Sequence, residues 1–462
     1  SSTWKKPCPS TSNNHFENDG CPCPHGPTPL HLAARDGHLQ VVEALVKGSS
    51  NINAKASDDY AWCFTPLIHA AENGNLEVVN LLLERGANDG NDQDSDGSTA
   101  LHLAAEYGRE ETVKFLLNRG ANVNAETGDG VIPAHEAAEK GHTQIMFLKN
   151  GYDVDAPATR TLTLILPLHR AAQRGQLEMV RILVENGANV NALDTDLKED
   201  IHEATPLLYA CGNDHTEVAK FLVENGADVN AEDHSSCRLE LPGREHHDAT
   251  PLELAASNGH VAVVEALLKV SAEIDKKCVG SDYSICTTPL LCAARNGNLE
   301  LVNFLIERGA NVNGIQTMNP HNYDGVRDDE PEGYTPLHSA AIAEHPEVVK
   351  FLISQGADVN ERGSYDDRPV LSAAENGDIG MVRLLLEAGA DINAEALEPD
   401  HERNILLIPF RKENRDLLDF VLSRRSELSD ACILRAFYFA LRTGSNFCRD
   451  HLNTVCPPNF VF

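Results

Sequence analysis

The chain has 462 residues, more than one ordinary globular core organises, so it must divide into domains or extend as a repeated array. With 70 acidic against 38 basic residues its formal charge is −32, which repels nucleic-acid phosphates, favours a partner with a basic surface, and keeps a long chain soluble. Apolar content of 42% excludes a disordered chain, and 5% aromatics leave the core to Ala, Leu and Val. No apolar run reaches the ~20 residues needed to span a bilayer as a helix.

Residues 1–27 form a polar leader rich in Pro and Cys. It opens at Ser1 with neither a Met nor an apolar signal core, which reads as a processed chain or a fragment. Cys21-x-Cys23-x-His25 with Cys8 has the residue types of a zinc site without the standard tetrahedral spacing, so a polar segment is expected instead.

From Thr28 the chain repeats itself. Thr28-Pro29-Leu30-His31-Leu32-Ala33-Ala34 returns at Thr65, Thr99, Ile132, Leu166, Thr205, Thr250, Thr288, Thr335 and Arg368, which makes ten copies. Thr28 is a natural helix N-cap, and Pro29 occupies the first helical position, where a missing N–H costs nothing. Leu30, Ala33 and Ala34 share one face of a short helix that Gly37 ends. A second helix follows, carrying Leu39, Val41, Val42, Leu45 and Val46. Asn122-Val123-Asn124-Ala125 and the following Gly128-Asp129-Gly130 read as a hairpin-like turn. Such a unit cannot bury both faces alone, so neighbours must stack.

Over residues 28–394 this pattern resembles the ankyrin-repeat family. The resemblance implies an all-α solenoid of helix–turn–helix units with β-hairpin fingers between them. It implies that the imidazoles of His31, His102, His135, His169 and His338 hydrogen-bond to backbone of their own or an adjoining repeat. It also implies that Asn124, Asn191, Asn230, Asn313 and Asn360 match hairpin positions that intracellular oxygenases can hydroxylate.

The intervals between copies run 37, 34, 33, 34, 39, 45, 38, 47 and 33 residues, and nearly all of the excess falls in the fingers. Those over 192–204, 231–249, 276–287 and 314–334 are enlarged, and 54–64 exceeds the minimum. Insertions on one face of a solenoid usually mark its working surface, although long loops are also thermodynamically mild. These fingers carry Tyr60, Trp62, Phe64, Arg244, Tyr283, Ile285, Met318, Tyr323, Arg327 and Tyr334, the residue types that anchor interfaces. They are the candidate partner-binding residues, Trp62 first, with folding back onto its own hairpin as the alternative for Trp62.

Repeat four is short: Gly151 follows Gly141 by ten residues where the equivalents lie twelve apart. A truncated second helix over Thr143 to Lys149 is expected, with a change of stacking between 130 and 166 that bends the array into two parts. Residues 395–462 read as a degenerate eleventh repeat, interrupted by Pro409, and a C-terminal helical cap over 428–441. A ligase-recruiting box, as some ankyrin proteins carry at that end, is the competing reading of Cys448-Arg449 and Pro457-Pro458.

No nucleotide-binding, nucleophile-elbow, zincin or EF-hand motif is present, and Asp233-His234, Cys237 and His246-His247-Asp248 read as polar loop. The expectation is a non-enzymatic scaffold or adaptor without cofactor or metal, gripping a protein partner on its concave, finger-bearing face and binding no nucleic acid. The alternatives are a self-assembling protein joined through its ends and a secreted effector. Twelve scattered cysteines and the absence of any N-x-[ST] sequon favour the cytoplasm or nucleus over secretion, where loop cysteines could pair.

Overall fold

The computed structural model describes residues 26–57, 63–88, 91–146, 154–155, 166–194, 204–232, 249–276, 285–315, 317–318, 333–363, 366–397 and 402–443. It divides into two compact units, Ser1–Asp228 and Val229–Phe462.

In the first unit, six repeats stack through their first helices. Pro29–Arg35 packs on Pro66–Asn73, and this on Ala100–Glu106, Pro133–Lys140, Pro167–Gln173 and Pro206–Gly212 in turn. The second unit repeats the scheme from Pro251–Ser257 through Pro289–Arg295, Pro336–Ile342 and Pro369–Asn376 to Leu407–Lys412 and the terminal helix Asp430–Thr443. Thr65, Thr250, Thr288 and Thr335 cap their helices by accepting a backbone N–H three residues on, as the signature implied. The Ala pairs lie at the contact, and Ala34, Ala71, Ala105, Ala138, Ala172, Ala256 and Ala294 have no exposed surface. A methyl group here sets a close approach that a larger side chain would prevent.

The glycine that follows most of the first helices has two jobs. Gly37 and Gly175 adopt φ of 74° and 69°, the left-handed region that favours glycine. A Cβ on Gly175 would also stand 2.4 Å from the His215 ring of the following repeat. That ring is there because His215 Nε2 donates to Gln173 O at 3.0 Å. Asn75 reaches Arg35 O at 2.8 Å in the same way, Arg109 reaches Glu72 O at 2.9 Å, and His142 reaches Glu106 O at 2.9 Å. These repeats thus satisfy carbonyls at the end of the predecessor's first helix, which have no intrahelical partner.

A second ladder runs through the hairpin asparagines. Asn191 Nδ2 donates to Gly226 O at 2.9 Å while its Oδ1 accepts from Asp228 N at 2.8 Å. Asn313 and Asn360 bridge to the next repeat with the same two bonds. Asn393 does so to Glu427 O and Ser429 N, so the ladder continues into the degenerate repeat.

Three expectations are corrected. The second helix of repeat four is described over Thr143–Met146, and the first helices pack continuously through this repeat, because Ala137 and Ala138 remain fully buried. The division falls instead after Asp228, behind repeat six. Pro409 does not interrupt helix Leu407–Lys412, since it sits in the first turn, where no intrahelical acceptor awaits an N–H. Val41, read with Val42 as an apolar position of the second helix, is 48% exposed, and Val42 takes the buried place.

Candidate interaction surface

Two short fingers and one enlarged finger have bases closed in one way. In the short fingers, Asp94 N donates to Ser98 O at 2.9 Å and Thr127 N to Val131 O at 2.9 Å. The return bonds run from Ser98 N to Asp94 Oδ1 at 2.8 Å and from Val131 N to Thr127 Oγ1 at 3.0 Å. The enlarged finger after repeat five closes alike: Asp194 N donates to Ala204 O at 3.1 Å and Ala204 N to Asp194 Oδ1 at 2.6 Å. The insertion is therefore carried by an unchanged frame. Asp194 is fully buried, and Tyr209 of the next first helix donates its hydroxyl to Asp194 Oδ2 at 2.6 Å. This latch was not foreseen, since Asp194 looked like one more loop acid.

The histidines join each base to the helix beneath it. His102 Nδ1 accepts from Thr99 N at 3.1 Å, and its Nε2 donates to Val131 O at 2.9 Å. His169 accepts from Leu166 N at 3.3 Å and donates to Ala192 O and Ala204 O, both at 3.1 Å. His31 donates to Ala54 O at 2.9 Å and Phe64 O at 3.1 Å, and His338 to Asp367 O at 3.4 Å. Burial pushes His102 and His338 down to about 4, and lowers His31 and His169. Neutral imidazole is the form this geometry needs, accepting on one nitrogen and donating from the other.

Two fingers of the second unit meet. Strand β3 (Ile285–Cys286), before repeat eight, pairs antiparallel with β4 (Thr317–Met318), after it, and Ile285 stands opposite Met318. Two candidate anchors 33 positions apart thus become neighbours in one ladder. In the first finger, β1 (Ala56–Ser57) pairs with β2 (Cys63–Phe64). Phe64 is 6% exposed and its ring lies 4.9 Å from that of His69, so it belongs to the finger's own packing and offers a partner no anchor. Tyr334 is half-buried, 5.5 Å from the His338 ring. Tyr60, Trp62, Arg244, Tyr283, Tyr323 and Arg327 lie outside the described residues, as do Cys8, Cys21, Cys23, His25 and the polar cluster from Asp233 to Asp248. Among the described residues, no group of three or more His, Cys, Asp and Glu is placed to hold a metal ion, and no helix is long and apolar enough to cross a membrane.

The first helices of repeats three to five carry a charge network that no single repeat contains. Glu139 meets Arg170 Nη1 at 2.8 Å, Arg174 Nη2 at 2.9 Å and Lys140 Nζ at 3.6 Å. Burial opposes its charge, but Arg170, Lys140 and Arg174 together hold its carboxyl below the usual range. Glu136 goes the other way: burial first, then Glu106 and Glu139, push it up. Exposed Tyr107 follows Glu106 at the end of its helix. The hydrophobic repeat is silent about this strip, because charges that meet here are 31 to 35 positions apart.

Stacked two-helix units, latched by a buried imidazole and bridged by asparagine amides, define a helical repeat protein that displays hairpins on a stiff frame. A profile described as Ankyrin repeats (3 copies) matches residues 10–94, 63–127, 87–158, 134–233, 235–316 and 314–396, and the chain belongs to the ankyrin-repeat family. It is 34% identical over 172 residues to "Ankyrin repeat protein nuc-2" of Neurospora crassa, a stretch that covers 37% of this chain and 16% of the relative. It is 26% identical over 177 residues to the human "Transient receptor potential cation channel subfamily A member 1", again 37% of this chain and 16% of the relative. The chain thus matches only 16% of the length of either of these curated relatives. Ankyrin repeats are in general modules of protein–protein interaction.

Proposed function

We propose that the chain is a non-catalytic adaptor that grips a folded protein partner between its fingers and the exposed face of its first helices. The carrying observation is the β3–β4 pairing, which joins two enlarged fingers into one ladder and sets Ile285 beside Met318. The closed base of the finger after repeat five supports the same reading, because Asp194 and Ala204 stay fixed to each other on either side of its insertion. The charge of −32 favours a partner with a basic surface. Affinity purification from the native source with mass spectrometry identifies that partner. Trp62→Ala, removal of the 231–249 insertion and shortening of the 314–334 finger should each weaken the complex, by about tenfold or more for an anchor residue. Full affinity in all three variants defeats the finger reading.

End-to-end self-association is the second reading. It is favoured by Leu434 and Tyr438, 44% and 67% exposed one turn apart on the last helix. Sedimentation of the wild type against Tyr438→Glu separates it from a monomeric adaptor.

A further inference from the structure

The ladder of hairpin side chains contains two kinds of rung. An asparagine amide both gives and takes: Asn360 Nδ2 donates to Gly389 O at 3.1 Å, and its Oδ1 accepts from Asp391 N at 2.7 Å. Two repeats carry aspartate at that position. The Asp155 carboxylate accepts the N–H of Asn189 at 3.2 and 3.3 Å, and Asp275 accepts that of Asn311 at 3.1 and 3.2 Å. A carboxylate has no N–H to return, so these rungs lack the second bond. Charge is also kept apart across the ladder. Both aspartates face a neutral asparagine, whereas Asn191, Asn313 and Asn360 face Asp228, Asp358 and Asp391. Among the described rungs, no carboxylate faces another acidic residue.

Asn313 differs from the other rungs in two respects. Its Nδ2 stands 3.4 Å from Gly356 O, against 2.9 Å at Asn191, 3.1 Å at Asn360 and 2.9 Å at Asn393, so its amide is the least firmly held of these. It is also followed by glycine, where Asn53, Asn124, Asn191 and Asn393 are followed by alanine. Glycine has no Cβ to hinder approach of its nitrogen to the side chain before it. Gly314 N donates to Asn311 O at 2.9 Å, but the turn bond from Ala192 N to Asn189 O, at 3.0 Å, is its equal, so the turn does not distinguish the two. Asn-Gly pairs also stand at helix ends, where the geometry opposes reaction. The amides of Asn186, Asn225 and Asn258 fold back onto their own helices, donating to Ile182 O at 2.7 Å, Phe221 O at 2.8 Å and Leu254 O at 3.0 Å. That direction carries Cγ away from the glycine nitrogen that follows.

We infer that Asn313 deamidates spontaneously through Gly314, and that the altered rung loosens the joint between repeats eight and nine. The Gly314 nitrogen attacks Asn313 Cγ and a C–N bond forms. The bond to Nδ2 breaks, and that nitrogen leaves as ammonia with the proton the glycine N–H gives up. Water then adds to either carbonyl of the cyclic imide and opens it to aspartate or isoaspartate. Water is consumed, ammonia is released and no electrons are transferred. The product has no donor for Gly356 O, and it sets a carboxylate against Asp358, the pairing the described rungs avoid. Strand β4 (Thr317–Met318) begins shortly after Asn313, so the altered rung lies at the root of the β3–β4 ladder. The chemistry is independent of the adaptor reading, and only its consequence for a partner rests on it.

The test ages full-length protein at mildly alkaline pH in heavy-oxygen water, digests it in ordinary water and locates the label by tandem mass spectrometry. Asn313 should be labelled, as aspartate and isoaspartate, about tenfold faster than Asn186, Asn225 or Asn258. Gly314→Ala should slow the reaction by about tenfold. Alanine already follows the other rungs, and Gly314 lies outside the left-handed region, so this variant keeps the turn. Labelling of the helix-end asparagines first, or an unchanged rate in Gly314→Ala, overturns the site. In a second arm, Asn313→Asp stands in for the product. Exchange of the Asp358 amide should quicken by about five- to tenfold, and Asn313→Asp combined with Asp358→Asn should recover most of it, because an acid then faces asparagine as Asp275 faces Asn311. Wild-type exchange in Asn313→Asp, or no recovery in the double variant, overturns the loosening. Neither arm uses a partner, so either failure leaves the adaptor reading to its own experiment.

Discussion

His169 Nε2 and the carbonyl oxygen of Ala204 meet at 3.1 Å, although 35 positions of chain separate the two residues and an enlarged finger lies between Asp194 and Ala204. One imidazole therefore ties the start of a helix to both sides of the finger above it. His169→Ala would leave Leu166 N and Ala192 O short of a buried partner, and Ala204 O with the Asp194 N–H in place of two donors. The expected cost is about 2–4 kcal/mol in urea unfolding, together with faster amide exchange at Ala204. A loss under about 0.5 kcal/mol would show that the base holds without the imidazole.

Acid should loosen the array in a defined window. The unfolded histidines take up a proton near 6.5, whereas buried His102 and His338 do so only near 4. Between these values the unfolded chain binds more protons, so stability is complete above 6.5, falls with falling pH, and levels off for these groups below 4. The slope is about 1.4 kcal/mol per pH unit for each histidine. Burial lifts Asp367 above the usual carboxylate range, which acts in the opposite sense at the acid end. Thermal melts from pH 7.5 to 4, repeated with His102→Gln and His338→Gln, measure the window, and a double variant that keeps the full slope contradicts it.

The left-handed position after each first helix should separate two kinds of substitution. Gly175→Ala combines φ of 69° with a Cβ 2.4 Å from the His215 ring, and should cost roughly 2 kcal/mol or more. Glu344 holds the same position at φ of 60°, and the Asp378 side chain of the following repeat caps its own helix through Met381 N. Glu344→Gly should therefore stabilise, by about 0.5–1 kcal/mol. Denaturant midpoints of the two variants should move in opposite directions.

Asn393 carries the last rung of the amide ladder. Asn393→Ala releases Glu427 O and Ser429 N, and should lower the stability of the helix Asp430–Thr443 by about 1–2 kcal/mol while sparing the repeats before it. Hydrogen exchange read by peptide resolves this. Equal loss of protection along the whole second unit would mean that the cap and the array unfold together.

The two-helix unit was legible because its cues are local. Thr-Pro sets a cap and a first turn, paired Ala marks a contact face, and glycine stops the helix, so Thr335 to Ala341 announces its structure within one turn of the chain. The degenerate repeat was harder to read: Asn404 replaces the capping Thr, accepting from Leu406 N and Leu407 N, and buried Phe410 stands where other repeats have Ala. Of the candidate anchors, Phe64 was misjudged because an aromatic in a finger looks alike whether it points to solvent or to the His69 ring.

The sequence alone determined the number of repeats, the two helices of each and the places where fingers lengthen, because hydrophobic period, caps and glycines act over a few neighbouring residues. Tertiary structure alone decided that β3 of one finger pairs with β4 of the next, that Asp194 is buried under Tyr209, and that Glu139 meets Arg170 and Arg174. Those partners lie on different turns of the chain or on different repeats, and only stacking brings their atoms within hydrogen-bonding distance.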